Sequence, residues 1–391
     1  MSLTTAQLSA LKQRIKEETR RATDTRHALH QLPELAGHET QTHDLIHADL
    51  QKAGLTLKPS LLGTDVIAEI ETDSPVTVCL RADMDALPIE EKTGVAYAST
   101  HRERMHACGH DGHTAILLST ARVLQAMHRD LPVSVRFVFQ PGEEMEALGG
   151  KLVEAGCCDS CDEAYALHGR PGYPLGTVSC RPGVMMATGG HIQATFRGRG
   201  CHGSTPELGR NPIPAAAAFV QALETLRKEL QTSEHIVITP CGIDAGLSGN
   251  VIPNEARVSG TARYLSAAQH APIRKQIHEA ATTAAHHYGV AVEFSYDTRY
   301  AFPVVNSCAA FDRVQQAAIR SLGDEQWIET PEPTLDMEDF AFYLRNREGA
   351  MFWLGLGEDH APLHRNDFDF DDRVIPNGIL MFCTLVLDRD A

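Results

Sequence analysis

The sequence predicts an α/β protein in which a smaller α+β domain is inserted into a larger α/β domain. Short β-branched segments alternate with amphipathic helices at both ends of the chain, and a different succession of elements lies between them. The chain has 391 residues, which exceeds the length at which one hydrophobic core usually keeps growing. We therefore predict a larger domain of residues 1–185 and 303–391 and an inserted domain of residues 186–302.

Helices in the larger domain are predicted from apolar spacing over residues 6–31, 39–53 and about 114–127. Three β-branched segments are predicted strands: DVIAEI (65–70), VTVCL (76–80) and VSVRFVF (133–139). The third helix lies between the last two strands, which is the order of a crossover unit with parallel strands. From Val304 onward, helix and strand alternate again. The larger domain is therefore expected to contain a mostly parallel sheet flanked by helices.

The inserted domain shows a β-α-β-β-α-β succession. Strands are predicted at GGHIQATFRGRG, ARVSGTARYL and VAVEFSYD, and helices at NPIPAAAAFVQALETLRKEL and at about 267–288. This order is typical of a small α/β sandwich. Its sheet would leave an open edge, so we expect the inserted domain to make the chain a homodimer, with edge strands of two copies joined.

Charge and composition exclude several kinds of partner. The chain has 35 basic and 51 acidic side chains and a net charge of -16, which disfavours nucleic acid and anionic membrane surfaces. No apolar run reaches the roughly 18 residues of a membrane span, and the N-terminus lacks the apolar core of a signal peptide. A cytoplasmic protein that acts on a small molecule is therefore expected.

Ten cysteines are too dilute in a chain of this length for a disulfide scaffold. They are expected to be thiols or metal ligands. Cys158 and Cys161 have the C-x-x-C spacing, but no second pair accompanies them at the spacing of a zinc finger. We interpret these two residues as incidental thiols of a loop.

The segment MHACGHDGH (105–113) concentrates candidate metal ligands. They are His106, Cys108, His110 and His113. Thiolate and imidazole are the ligands that zinc and its first-row neighbours prefer. Cys108 and His110 also precede the helix predicted from about Thr114, and the N-terminus of a helix favours a thiolate.

Further candidate ligands follow three predicted strands. Asp83 and Asp85 come after VTVCL, Glu143 and Glu144 after VSVRFVF, and His168 after EAYAL. Because ligands of open α/β sheets bind at the carboxyl ends of the strands, these residues predict a metal site at one edge of the sheet. Each residue also has a structural alternative when taken alone. The glutamates could be solvated in a loop, the aspartates could form turns, and the histidine could be a hydrogen-bonded core residue.

Eight segments resemble, in order and spacing, the amidohydrolase branch of the M20 metallopeptidase clan: RADMDALPI, MHACGHDGH, QPGEE, LHGRPGYPLG, GRNPI, GNVIPNEA, MEDFAFY and LHRNDFDFDD. That branch contains the hippurate hydrolases, the auxin-conjugate hydrolases and the N-acetyl-diaminopimelate deacetylases. The resemblance extends from about Arg26 to Pro376. It implies a catalytic metal-binding domain, an inserted lid or dimerisation domain, and two divalent metal ions per chain. Zinc or manganese is expected first, and cobalt or nickel also suits these ligands.

The resemblance also implies roles for individual residues. The implied metal ligands are Cys108, His110, Glu144, His168 and His364, with the cysteine bridging both ions. Glu143 would be the general base, left unligated so that its carboxylate can accept a proton and pass it to the leaving nitrogen. Asp85 would orient a ligand, and Asp83 is a similar candidate. The implied reaction cleaves the amide bond of an N-acyl amino acid to a carboxylic acid and a free amino acid.

Three residues of the inserted domain match the same family. His202 corresponds to a lid histidine that supports the oxyanion of the tetrahedral intermediate. Asn250 and Arg263 match substrate-binding positions, and Arg263 would hold the α-carboxylate. A surface ion pair is the alternative for Arg263.

Some residues depart from the pattern of the family. Cys201 stands before His202, Met337 replaces a small residue, and Gly169 and Arg170 follow the ligand His168. Arg170 could favour an acidic substrate or could point to solvent. Two alternatives to the amidohydrolase stay open. One is a dipeptidase or carboxypeptidase of the same clan, which usually carries His-x-Asp in place of Asp83-Met84-Asp85, and the other is a non-catalytic binding protein.

Overall fold

The computed structural model describes residues 3–230 and 235–389, and the chain divides into two compact units. The first unit is formed by Met1–Met185, Val305–Glu332 and Asp339–Ala391, and the second by Met186–Val304 and Pro333–Glu338. The sequence predicts a single insertion of 186–302 and places 333–338 in the larger domain. The structure differs because the backbone N–H of Ala187 donates to the carbonyl oxygens of Thr334 and Asp336, at 3.0 Å each.

Helices and strands alternate along most of the chain. The helices are α1 (Thr5–His30), α2 (Thr40–Ala53), α3 (His110–Ala126), α4 (Glu143–Glu146), α5 (Leu148–Glu154), α6 (Ile213–Leu230), α7 (His270–His287), α8 (Cys308–Leu322), α9 (Ala341–Leu344) and α10 (Ile375–Leu387). The strands are β1 (Thr56–Lys58), β2 (Val66–Ile70), β3 (Thr77–Asp83), β4 (Ser134–Gln140), β5 (Glu163–Pro171), β6 (Val178–Cys180), β7 (Gly183–Met186), β8 (Thr188–Arg197), β9 (Cys201–His202), β10 (Val237–Ala245), β11 (Val251–Ile252), β12 (Glu255–Tyr264), β13 (Ala291–Asp297), β14 (Val304–Asn306), β15 (Trp327–Glu329) and β16 (Glu348–Gly357). No helix in the described parts of the chain combines the length and apolarity needed to cross a membrane.

An eight-stranded sheet with the order β1-β2-β4-β3-β5-β16-β6-β15 organises the first unit. The central pairs β4–β3, β3–β5 and β5–β16 are parallel, and so is β6–β15. The pairs β1–β2, β2–β4 and β16–β6 are antiparallel. The predicted mostly parallel sheet with flanking helices is confirmed, and its parallel centre brings the carboxyl ends of β3, β4 and β5 to one edge.

Helix α3 is the central helix of the first unit and is buried from His110 to Leu124. It begins at His110, four residues before the predicted start, directly after Gly109 in the left-handed region with φ 87°. Apolar spacing does not reveal this first turn because its side chains are polar and contact specific partners instead of the apolar core. The turn also needs a glycine, since a Cβ on Gly112 would lie 2.5 Å from the ring of Phe370.

The second unit contains an antiparallel sheet with the order β10-β12-β8-β13, and α6 and α7 pack against it. Its core includes Phe196, Phe219 and Ile277, all with no exposed surface. In chain order the elements of the sheet and its helices are strand, helix, two strands, helix and strand, which is the predicted order, although the sequence analysis locates only three of these strands and not β10. The edge strands of this sheet are β10 and β13, and β10 has an irregularity between Pro240 and Gly242.

Candidate metal centre

Cys108 lies at the centre of a group of metal-ligating side chains in the first unit. Its Sγ is 3.4 Å from Nε2 of His168 and 3.3 Å from Nε2 of His364. Nε2 of His364 is in turn 3.0 Å from Oε1 of Glu144. Two sets of donor atoms, each within 4.8 Å of one another, share the Cys108 sulfur: Cys108, His110 and His168 in one, and Cys108, Glu144 and His364 in the other. The structure therefore brings together all five residues for which metal binding is predicted.

Asp85 connects the two sides of this group. One of its carboxylate oxygens accepts from Nδ1 of His110 at 3.2 Å and from the backbone N–H of Glu143 at 3.1 Å. The other oxygen accepts from the backbone N–H of Glu144 at 3.0 Å. Both glutamates lie in the first turn of α4, which follows Gly142 in the left-handed region. Asp85 thus occupies the position that an orienting residue needs, because it fixes His110 relative to both glutamates.

The buried imidazoles of the group use one nitrogen for their own positioning. Nδ1 of His168 is 2.8 Å from the carbonyl oxygen of Gly169, which leaves Nε2 directed at Cys108. Nδ1 of His110 contacts Asp85, whereas its buried Nε2 has no hydrogen-bond partner within residues 3–230 and 235–389. A buried polar atom of this kind is costly unless a ligand occupies it.

His113 is a poor metal ligand despite its place in the MHACGHDGH segment. Its Nδ1 is 2.7 Å from Oδ1 of Asp83, and its Nε2 accepts from the backbone N–H of Gly169 at 2.8 Å. Both ring nitrogens are therefore used within the protein, and this pairing also fixes the tautomer. His106 is buried and lies in none of the described groups of metal-ligating atoms. His113 does share a group of metal-ligating atoms with Asp83 and His110, so what distinguishes it from the predicted ligands is that both of its ring nitrogens already have partners within the protein.

The buried charges of the centre fit divalent cations. Burial, together with the carboxylates of Glu144 and Glu143, raises the pKa of Cys108 well above its ordinary value. This effect is opposite to the one expected from the helix terminus alone. Asp83 and Asp85 add two further buried carboxyl groups. Negative charge concentrated in this way is stabilised when cations lie between the donors, and a coordinating thiol is then deprotonated. The donor set of sulfur, imidazole and carboxylate also suits zinc, manganese, cobalt or nickel.

The two adjacent glutamates have different surroundings. Glu144 belongs to the donor set of Cys108 and His364, whereas Glu143 belongs to neither set that contains Cys108. An oxygen of Glu143 does lie within 4.8 Å of donor atoms of His110 and Glu144. Glu143 is also buried, with 5% of its surface exposed. It therefore lies beside the predicted ligands and outside both sets, which is the position that a general base requires.

His364 has an unusual backbone conformation. Its φ is 63°, in the left-handed region that a side chain with a Cβ rarely adopts. The backbone N–H of His364 donates to the carbonyl oxygen of Ala107 at 2.8 Å, which joins it to the segment that carries Cys108. Strained backbone of this kind persists only where the surroundings hold it. About half of the His364 side chain, 51%, is exposed.

His202 and Asn250 are neighbours in the second unit. His202 ends β9, which pairs with β11 so that His202 lies opposite Val251. Its side chain is exposed, and Nδ1 is 2.7 Å from Oγ of Ser204. The carbonyl oxygen of Asn250 accepts from Gly203 N–H at 2.8 Å, and its Oδ1 accepts from Ser248.

Arg263 lies on β12 in the same unit and is partly buried. Its guanidinium donates to Thr261 Oγ1 and to the carbonyl oxygen of Ala262. Burial lowers the pKa of Arg263, although Tyr296 and Tyr300 oppose this effect. The charge of Asp336 also opposes the effect of burial on this pKa.

A family model described as peptidase family M20/M25/M40 matches residues 79–388. The chain belongs to this family. Within M20, the N-acetyl-L-cysteine deacetylase of Bacillus subtilis is 34% identical over 356 residues, which cover 90% of this chain and 83% of that relative. The IAA-amino acid hydrolase ILR1-like 5 of Arabidopsis thaliana is 33% identical over 368 residues, which cover 92% of this chain and 84% of that relative.

A solved M20 structure has the same fold along most of the chain. It is the Bacillus subtilis YXEP protein, named as a dinuclear metal binding peptidase from the M20 family. It matches with a TM-score of 0.80 and 30% sequence identity, covering 95% of this chain and 98% of that one. The chain is accordingly a metal-dependent hydrolase of amide bonds in the amidohydrolase branch of M20.

The residues that depart from the M20 pattern have local partners. The guanidinium carbon of Arg170 lies 5.1 Å from the centre of the Trp353 ring, and that ring meets the His168 ring edge-on at 6.0 Å. Arg170 therefore stacks beside the centre, and the alternative that it simply points to solvent is not what the structure shows. The thiol of Cys201 is 3.5 Å from the carbonyl oxygen of Thr205.

The two C-x-x-C cysteines are buried thiols. Cys158 and Cys161 lie between α5 and β5, and the Cys161 thiol contacts that of Cys79. They belong to none of the groups of metal-ligating atoms that the described residues contain.

Sequence reasoning missed two buried charged residues close to the M20 centre. Glu39 accepts from the backbone N–H of Gly142, at the turn that starts α4, and burial followed by the charge of Asp85 raises the pKa of Glu39 to about 7. Arg26 pairs with Asp111, directly after the predicted ligand His110. Arg26 occupies the buried face of α1 with Ala22, Leu29 and His30, and a charge on a largely apolar face was the available signal.

Proposed function

We propose that the chain hydrolyses the amide bond of N-acyl amino acids and releases a carboxylic acid and a free amino acid. The observation that carries this proposal is the pair of donor sets that share Cys108, with Glu143 beside them and in neither set. The relatives named as an N-acetyl-L-cysteine deacetylase and an IAA-amino acid hydrolase support the substrate class.

The proposed cofactors are two divalent metal ions, zinc or manganese first and cobalt or nickel as further possibilities. Cys108, His110 and His168 would hold one ion, and Cys108, Glu144 and His364 the other. When bound, such ions polarise an amide carbonyl and lower the pKa of water. Asp85 would fix His110 and the first turn of α4 at the required separation.

In the proposed mechanism Glu143 moves the proton. Its carboxylate accepts a proton from the attacking water and then donates it to the nitrogen of the leaving amino acid. Burial of Glu143 keeps bulk water away from this proton. Asp85 accepts from the backbone N–H of Glu143, so the backbone that carries this carboxylate is kept in place.

The second unit is proposed to be the lid and dimerisation domain, and the first the catalytic domain. His202 would stabilise the oxyanion of the tetrahedral intermediate, and Asn250 and Arg263 would bind the substrate, the latter through its α-carboxylate. The exposed side chain of His202 and the partly buried guanidinium of Arg263 support these roles. Joining of edge strands in a homodimer is proposed from the open edges β10 and β13.

A substrate screen with defined metals tests the proposal. Metal-free protein is reconstituted in turn with zinc, manganese, cobalt and nickel, and assayed on N-acetyl, N-benzoyl and indoleacetyl amino acids and on dipeptides. We expect hydrolysis of at least one acyl series and little hydrolysis of dipeptides. Preferential cleavage of dipeptides would favour the dipeptidase alternative, and metal binding without turnover of any substrate would favour the binding protein.

A further inference from the structure

A buried guanidinium joins the two segments that carry the proposed metal ligands. The side chain of Arg26, on α1, has no exposed surface. Its Nε donates to Oδ2 of Asp111 at 2.8 Å, and its Nη1 donates to Oδ1 of Asp372 at 3.2 Å. Its Nη2 pairs with Asp369. One side chain thus contacts three carboxylates that come from two distant parts of the chain.

Each of these carboxylates is close in sequence to a proposed ligand. Asp111 follows His110 in the first turn of α3, three residues after Cys108. Asp369 and Asp372 come five and eight residues after His364. The guanidinium therefore links the segment that carries Cys108 and His110 to the segment that carries His364.

The segment after His364 has further contacts with the residues around Arg26. The Phe370 ring packs on Gly112 at the start of α3, and Asn366 accepts from the backbone N–H of Lys92 at 2.7 Å. The hydroxyl of Tyr97 donates to Asp369 at 2.8 Å and lies 3.2 Å from Nη1 of Arg26. His364 itself has a left-handed backbone, which only a fixed surrounding structure maintains.

A packing role alone does not require a guanidinium at this position. Arg26 shares the buried face of α1 with Ala22, Leu29 and His30, where a leucine would fill the space but would leave Asp111, Asp369 and Asp372 without this partner. A guanidinium presents five N–H donors in a rigid planar fork, so it can fix several carboxylates in one geometry. An ammonium is a point charge and lacks this fixed geometry.

We propose that Arg26 is a positioning residue that sets the place of His364 relative to the start of α3, which carries His110, and so the separation of the two donor sets that share Cys108. The inference rests on the proposed two-metal centre and identifies a determinant of its metal affinity. Arg26 acts through Asp111, Asp369 and Asp372 and has no contact with any of the five proposed ligands in the described hydrogen bonds and ion pairs.

Titration of metal-free protein with Co²⁺ tests the inference without a substrate. The charge-transfer absorption of a cobalt–thiolate bond reports binding at Cys108. Arg26→Lys keeps the charge but loses the fork, and we expect about a 10- to 100-fold loss of Co²⁺ affinity, as is typical for supporting residues of metal sites. The loss should be larger for the ion held by His364, so the two binding steps should separate more than in the wild type.

Arg122→Lys is the matched control. Arg122 is also nearly buried, and it joins α3 to α1 and α2 through Glu18 at 2.6 Å and Asp49 at 2.5 Å. Neither of these partners lies in a segment that contains a proposed metal ligand. We expect it to lower the free energy of unfolding and to leave Co²⁺ affinity unchanged. Equal affinity in Arg26→Lys and the wild type, or an equal loss in both lysine variants, would overturn the inference.

A second variant keeps the test decisive if Arg26→Lys does not fold. Asp372 is 28% exposed and contacts Arg26 and His27. Asp372→Asn therefore weakens one of the three carboxylate contacts of Arg26 at a partly exposed position. We expect a smaller loss of Co²⁺ affinity in the same direction, and unchanged affinity would contradict the role of Arg26. Wild-type protein that binds Co²⁺ but hydrolyses no N-acyl amino acid would refute the proposed function and leave this inference intact.

Discussion

In the first unit Cys108, His110 and His168 are at most 7% exposed, and contacts within the protein orient both imidazoles. In the second unit His202 is exposed, and its ring contacts Ser204, two residues along the chain. These three predicted ligands are thus held by contacts within the protein, whereas His202, the histidine predicted to support the oxyanion, contacts only a residue near it in sequence. Preorganisation favours residues that must assemble around an ion, and a residue that meets a substrate can be ordered by it.

The largest expected effect comes from removing the sulfur atom of Cys108, which both donor sets share. Cys108→Ala should abolish activity and reduce metal content at both positions, because the sulfur belongs to both sets. Elemental analysis of the purified variant measures this loss. Cys241→Ala, at an exposed thiol in the second unit, is the control and should behave as wild type. Retention of two tightly held ions by Cys108→Ala would show that the shared-ligand assignment is wrong.

For the exposed histidine of the second unit, His202, we expect a loss of turnover without a loss of bound metal. His202→Ala should lower kcat by about 10²- to 10³-fold, as expected for removal of one donor to an oxyanion. Its metal content should not change. His287→Ala, at another exposed histidine of the same unit, should leave kcat unaltered. A metal-depleted His202→Ala variant would place this residue in the wrong role.

The smallest expected effect concerns the stability of the buried charges near the centre. Burial lowers the pKa of His30, but the charge and hydrogen bond of Asp111 outweigh this and raise the pKa to about 9. Because the folded pKa lies above the unfolded one, the stabilisation is complete below about pH 6.5 and disappears as pH rises through about 9. At one pKa unit per 1.36 kcal/mol, it amounts to at most about 3 kcal/mol.

Denaturant unfolding of metal-free wild type and His30→Gln at pH 6, 7.5 and 9.5 measures this contribution. The difference in free energy of unfolding between the two proteins should shrink as pH rises. A difference that stays constant across this range would mean that His30 is not charged in the folded protein.

Apolar periodicity and strand ends are local features, so the sequence pattern predicts the parallel sheet, the order of elements in the second unit, and the carboxylates and histidine that follow the strands. The set of five ligands, with His364 among them, comes from the resemblance to the M20 family. The sequence pattern places the start of α3 four residues late, since the polar side chains of its first turn, such as those of Asp111 and His113, bind partners far away in the chain. It also assigns His168 to the end of a strand, although β5 continues to Pro171.

Local sequence patterns cannot reveal residues whose role depends on partners far away in the chain. The pairing of Arg26 with Asp369 and Asp372 joins positions that are 343 and 346 residues apart. The pairing of His113 with Asp83 and Gly169, which removes it from the candidate ligands, likewise depends on contacts across three segments.

The adjacent glutamates Glu143 and Glu144 test the central claim most directly. Glu143→Gln retains the size of the side chain but cannot accept a proton, so turnover should fall by about 10²- to 10⁴-fold while metal content is unchanged. Glu144→Gln removes an anionic ligand, so it should lose metal and regain part of its activity when excess zinc or manganese is added. The decisive measurement is kcat of both variants, with metal content, over a range of added metal. The account predicts rescue of Glu144→Gln alone. Rescue of Glu143→Gln by metal, or its near-normal turnover, would contradict it.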